Sequence, residues 1–109
     1  MEDVMKLQEL TKQLDVGVRQ LRHTGQDLAQ AEMDYKIKLR ETALKMKDNG
    51  ETATFISLTI HGEPDVARLR FKRDCADAIY QANQESINSC KLQMRLLEDR
   101  IARDWGQAK

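Results

Sequence analysis

The sequence predicts an all-α fold: an antiparallel two-helix coiled-coil hairpin with a short connector element, self-associating into a helical bundle. Two apolar heptad ladders and one sharply punctuated break between them predict it. The first ladder reads Leu7, Leu10, Leu14, Gly17, Leu21, Thr24, Leu28, Ala31, Tyr35, Lys38, Thr42, Lys45. The second reads Val66, Leu69, Arg73, Ala76, Tyr80, Asn83, Ile87, Cys90, Met94, Leu97, Ile101, with Asp104 and Trp105 closing it. Folded back, facing residue numbers sum to about 111, which sets Leu10 against Ile101, Leu14 against Leu97, Leu21 against Cys90 and Leu28 against Asn83. Size complements size in that register, because Gly17 faces Met94, Ala31 faces Tyr80 and Tyr35 faces Ala76, as knobs-into-holes packing requires.

Taken in order, the first helix is expected over 3–48, with Glu2 and Asp3 suiting the positive end of its dipole. Acid-first pairs four apart, Asp15–Arg19, Glu32–Lys36, Asp34–Lys38 and Glu41–Lys45, support its exposed face. Lys45 and Lys47 occupy the last turn, and Asn49-Gly50 supplies a left-handed cap. The connector, 49–63, contains ETATFISLTIHG, whose alternation of Ile56, Leu58 and Ile60 fits a strand. A strand there has no ladder partner, so a short helix is preferred: Thr52 or Thr54 caps it, Phe55 and Leu58 share a face, Gly62 ends it, and it folds across the open end of the hairpin. The second helix is expected over 64–105, opened by Pro64 and Asp65 and ended by Gly106, so that 1–109 form one domain.

At 109 residues with 33% charged and 5% aromatic side chains, the chain has the balance of long solvated helices and too few large rings for a sizeable ligand pocket. A thin two-helix seam is marginally stable alone, so a homo-oligomer is expected. The zero net charge gives no global case for nucleic acid or membrane. Within residues 36–73, however, nine basic side chains stand against five acidic ones, a lengthwise gradient with its positive end at the bend. Cys75 and Cys90 lie 15 positions apart on one predicted helix, about 22 Å, and read as reduced thiols of a cytoplasmic protein. MEDVMKLQEL lacks the charged-then-apolar pattern of a signal peptide, and no apolar run is long enough for a membrane span.

The residues announce no chemistry. His23 and His61 have no ligand-spaced companions, so no metal or other cofactor is expected. Glu63 and Asp65 fit the start of a helix, Cys90 falls on the buried seam, and no phosphate loop or nucleophile elbow occurs, so an enzyme is not expected. Two features remain. Lys38 and Arg73 face each other at core positions, and either snorkel outward or hold an anion: Asp34, Asp77 or Glu41, an acidic partner, or a phosphate. Apolar side chains also stand off the seam, Phe71, Cys75, Ala78, Ala82, Leu92 and Leu96 on the second helix and Val16, Met33, Ile37 and Leu44 on the first. Of these, Met33, Ile37, Leu44, Phe71, Leu92 and Leu96 form the candidate oligomer face, giving a four-helix bundle or a groove for a partner helix. Trp105 is expected to staple against Leu7.

The runs KLRETALKMKDNGETAT (38–54) and LRFKRDCADAIYQANQESINSCKLQMRLLEDRIARDWG (69–106) resemble small helical-hairpin proteins of Gram-positive phages and prophages. That resemblance implies a bacterial cytoplasmic setting and a virus-related role without catalytic residues. Two functions follow as expectations. One is a stoichiometric binding module docking on a host protein or protein–nucleic-acid complex, an inhibitor of host defence of the anti-CRISPR kind. Its contacts would be Lys36, Lys38, Arg40, Arg68, Arg70, Lys72 and Arg73. The alternative is a nucleic-acid-binding accessory for phage recombination or replication, with the same cations on phosphates.

Overall fold

The computed structural model describes residues 1–107 and is all-helical, with α1 (Glu2–Asp48) packing against α3 (Pro64–Gln107) and a short α2 (Ala53–Thr59) between them. A 3-10 turn, Ile60–Gly62, links α2 to α3. The connector is thus the short helix and not the strand. Thr52 caps it, its hydroxyl accepting from the Phe55 amide at 3.2 Å. Gly62 is not its left-handed terminus: the only positive φ among the described residues belongs to Gly50, at 85°. There the Glu51 amide donates to the Met46 carbonyl at 3.2 Å and the Gly50 amide to that of Lys47 at 3.0 Å, the paired bonds of a Schellman end. Pro64 opens α3 where a missing N–H leaves nothing unsatisfied, and the Glu63 carbonyl receives the Ala67 amide at 2.8 Å.

The packing divides the described residues into two compact units, one of residues 1–23 with 80–107, the other of residues 24–79. In the first, rising numbers on α1 meet falling numbers on α3. Leu10, Cys90 and Leu97 are buried together with Leu7, Leu14 and Met94 around them. The Cys90 thiol donates to the Leu10 carbonyl at 3.5 Å and lies 3.9 Å from Gln13 Oε1. A side chain on Gly17 would begin 3.1 Å from Ile87 Cγ1, and Asn83 Nδ2 donates to the Gly17 carbonyl at 3.1 Å. Asp3 holds Arg100 through both carboxylate oxygens, at 3.0 and 3.1 Å.

Those contacts correct the register. Gly17 with Ile87 and Asp3 with Arg100 give sums of 104 and 103, one heptad below the 111 read from the ladders. Cys90 therefore meets Leu10 and Gln13 in place of Leu21, Asn83 meets Gly17 in place of Leu28, and Gly17 receives Ile87 in place of Met94. A slip of seven residues leaves every apolar position inward, so periodicity alone cannot choose between the two registers. The Trp105 staple moves with it: Trp105 is exposed and lies with Ile101 beside Met1–Val4, away from Leu7.

In the second unit, burial is supplied by Ala31, Tyr35 and Met46 of α1, Ile60 of the 3-10 turn and Val66 of α3, which is wholly enclosed. Met46 is buried where the ladder placed Lys45, which stays in solvent. A 3.6-residue turn drifts from a strict heptad, and at the last turn the drift exchanges a charged side chain for an apolar one. Lys38 stands opposite Asp65, again a sum of 103, so α1 continues for ten residues past that level. The connector climbs back over that distance, and α2 buries none of its side chains in doing so.

Candidate interaction surface

Each of the seven sequence-selected cations lies in the unit of residues 24–79, but they differ in what they hold. Lys38 Nζ sits 3.9 Å from Asp65 Oδ2 and 3.9 Å from Glu41 Oε2, while Arg68 reaches the other oxygen of Asp65 at 3.2 Å. Asp65 is therefore the hub that ties α1 to the first turn of α3. Arg73 lies over the Tyr35 ring, 4.6 Å from its centre, and gives Nε and Nη2 to Asp74 Oδ1 at 3.0 and 2.8 Å. That hydrogen bond to Asp74, joined by the attraction of Asp74, Tyr35 and Glu32, outweighs desolvation and holds the guanidinium above the ordinary arginine range.

The like-charge layer of Lys38 and Arg73 is thus dissolved by the register: each has its own acid, and the anions are Asp65, Glu41 and Asp74 of the same chain. Lys36, Arg40, Arg70 and Lys72 are different. They are exposed and form no ion pair among the described residues.

The four acid-first pairs expected along α1 are not made. Arg19 Nε instead donates to the Asp15 backbone carbonyl at 3.3 Å, and Asp34 accepts from Gln30 Nε2 at 2.9 Å. Exposed pairs of this kind contribute at most about 1 kcal/mol, too little to hold long side chains in place.

Met33, Ile37, Leu44, Phe71, Leu92 and Leu96 are each half or more exposed. Counting 100° per residue from the buried Ala31 and Tyr35, the stripe of Met33, Ile37 and Leu44 points about 180° away from α3. The sequence pattern missed two further features. Phe55 and Leu58, expected to fold over the hairpin's open end, are 48% and 79% exposed on α2. Between α1 and α3 lies a groove of about 320 Å³, floored by Ala31 and Ala76 and rimmed by Asp27, Asp34, Lys72 and Ile79. In the 111 register Tyr80 would have filled the space over Ala31; with the register one heptad lower, two alanines share the floor.

His23, His61 and Cys75 are exposed, and among the described residues no three His, Cys, Asp or Glu side chains gather as a metal-binding group. One oxygen of Glu51 is buried without a hydrogen-bond partner, in a hollow of about 400 Å³ shared with Lys38, Lys45 and Glu63. Among the described residues no helix is long and apolar enough to cross a membrane. Compared with protein-family models, curated proteins and solved structures, the chain matches none.

Proposed function

We propose that the chain is a non-enzymatic binding module: a helical hairpin that self-associates and docks stoichiometrically on a macromolecular partner. The observation that carries this reading is α2, a helix that buries none of its own residues and shows Phe55 and Leu58 to solvent. Apolar anchors of that size favour a protein surface, since interface energy concentrates in such side chains when they enter a pocket. Unpaired Arg40 and Arg70, in the same unit, add attraction for an acidic rim. The resemblance of 38–54 and 69–106 to phage-encoded hairpins supports a partner in host defence, met in the bacterial cytoplasm.

The nucleic-acid accessory is the second reading, favoured by the unpaired cations and opposed by Glu41, Asp65 and Asp74 lying among them. Capture from a bacterial lysate on immobilised wild type, Phe55→Ser/Leu58→Ser and Arg40→Glu/Arg70→Glu separates the two. A protein retained by wild type and lost by both variants supports the binding module. Retention of short duplex or single-stranded DNA that collapses between low and moderate salt, lost in the arginine variant and indifferent to the α2 variant, overturns it.

A further inference from the structure

We infer that the groove between α1 and α3 in the unit of residues 24–79 receives one amphipathic helix of a partner protein, basic on the flank lying along α1 and acidic on the flank lying along α3. The groove is a surface separate from α2, since neither Phe55 nor Leu58 lines it, so the inference goes beyond the reading above.

The register builds this groove. Lys38 opposite Asp65 fixes a sum of 103 in this unit, which sets Ala31 across from Lys72 and Ala76 across from Asp27. Each alanine leaves a hollow along the seam, and the two hollows stand one helical turn apart, the spacing at which residues i and i+4 project from one face of a helix. Ile79, 59% exposed, and the exposed Cys75 thiol continue the apolar lining on α3. The result is a groove of about 320 Å³ whose floor and one wall are mainly apolar.

Its two walls differ in charge. Asp27 and Asp34 stand one heptad apart on α1, and Lys72 stands on α3. These opposite charges do not meet: Lys72 and Asp27 form no ion pair among the described residues, and Asp34 accepts from Gln30. Charges held apart across an apolar floor favour an occupant that brings the opposite sign to each side.

A helix meets these demands. Its backbone hydrogen bonds are internal, whereas an extended segment would leave peptide groups unpaired against alanine and isoleucine. Two apolar side chains four apart fill the hollows, with lysine or arginine on one flank and glutamate or aspartate on the other. Nucleic acid would set its phosphates against Asp27 and Asp34. A second copy fits less well: α2 has no charge between Ala53 and Thr59 to offer either wall, and the exposed α1 stripe carries Arg40 in line with Met33, Ile37 and Leu44, a charge where the groove is apolar.

The test uses the full chain and three synthetic helical peptides of about three heptads with leucine along one face. One carries lysine on one flank and glutamate on the other, one lysine on both flanks, and one glutamate on both. The mixed peptide should bind at least about tenfold tighter than the all-glutamate peptide, bind tighter than the all-lysine one, and slow alkylation of Cys75 in the groove. Asp27→Lys/Asp34→Lys, with helicity retained by circular dichroism, should shift the preference to the all-glutamate peptide. Phe55→Ser/Leu58→Ser should bind the mixed peptide as wild type does. Equal binding of the three peptides, binding lost in the α2 variant, or Cys75 protection that rises with the chain's own concentration in the absence of peptide overturns the inference, the last by placing a second copy in the groove. No binding of the mixed peptide, with α2-dependent partner capture intact, would remove this groove and leave the reading above standing.

Discussion

Asn83 Nδ2 donates to the backbone carbonyl of Gly17 at 3.1 Å, and the same glycine receives Ile87 so closely that a Cβ would stand 3.1 Å from Cγ1. Together these two layers distinguish the observed register from its heptad-shifted alternative, in which Asn83 faces Leu28 and Gly17 faces Met94. A polar residue that pairs in only one alignment is a common way for helices to fix it.

Gly17→Leu should therefore lower stability by about 1–3 kcal/mol in urea denaturation, because its Cβ would stand 3.1 Å from Ile87 Cγ1 and the rest of the side chain must displace Ile87 and Asn83. Gly106→Leu, where nothing lies within 4 Å of the added Cβ, should not. Equal effects at both sites would mean the Gly17 layer is looser than described.

Gly50→Ala should cost about 1 kcal/mol, since φ is +85° there and an L side chain is strained in that region. Gly62→Ala, at an ordinary φ with open space around it, should change the melting temperature little.

Cys75, which is exposed, should react with a thiol reagent well before Cys90, which reacts only as the helices separate because its sulfur is buried against Leu10. Equal rates at both cysteines in the folded protein would contradict the packing of residues 1–23.

Met46→Ala and Ile60→Ala should each cost about 2–5 kcal/mol, and Lys45→Ala less than about 0.5 kcal/mol. Thermal unfolding in which Lys45 mattered more than Met46 would restore the strict heptad.

These last residues show where the sequence was legible. The ends at Pro64, Thr52 and Gly50 were, because these residues act through local backbone chemistry, whereas α3 runs through Gly106, its expected stop, to Gln107. The apolar side of each helix was too, down to Leu10, Tyr35, Val66, Ile87 and Leu97. The register was not: a seven-residue slip preserves the pattern, and only the fit of Gly17 to Ile87 and the Asn83 bond separate the alternatives. With the register went the Lys38/Arg73 layer, because Asp65 takes the place opposite Lys38. Likewise Ile60 looked like one member of an alternating triplet, and nothing local marks it as the residue that is buried while Leu58 remains in water.

The central proposal is that α2 and the unpaired cations of the same unit hold a partner protein. Its most direct measurement is sedimentation of the purified chain with the protein it captures, for wild type and for Phe55→Ser/Leu58→Ser, at low and moderate salt. A stoichiometric complex that survives moderate salt and disappears in the α2 variant is the predicted result. A complex that forms equally well without Phe55 and Leu58, or one that exists only with nucleic acid at low salt, would contradict the account.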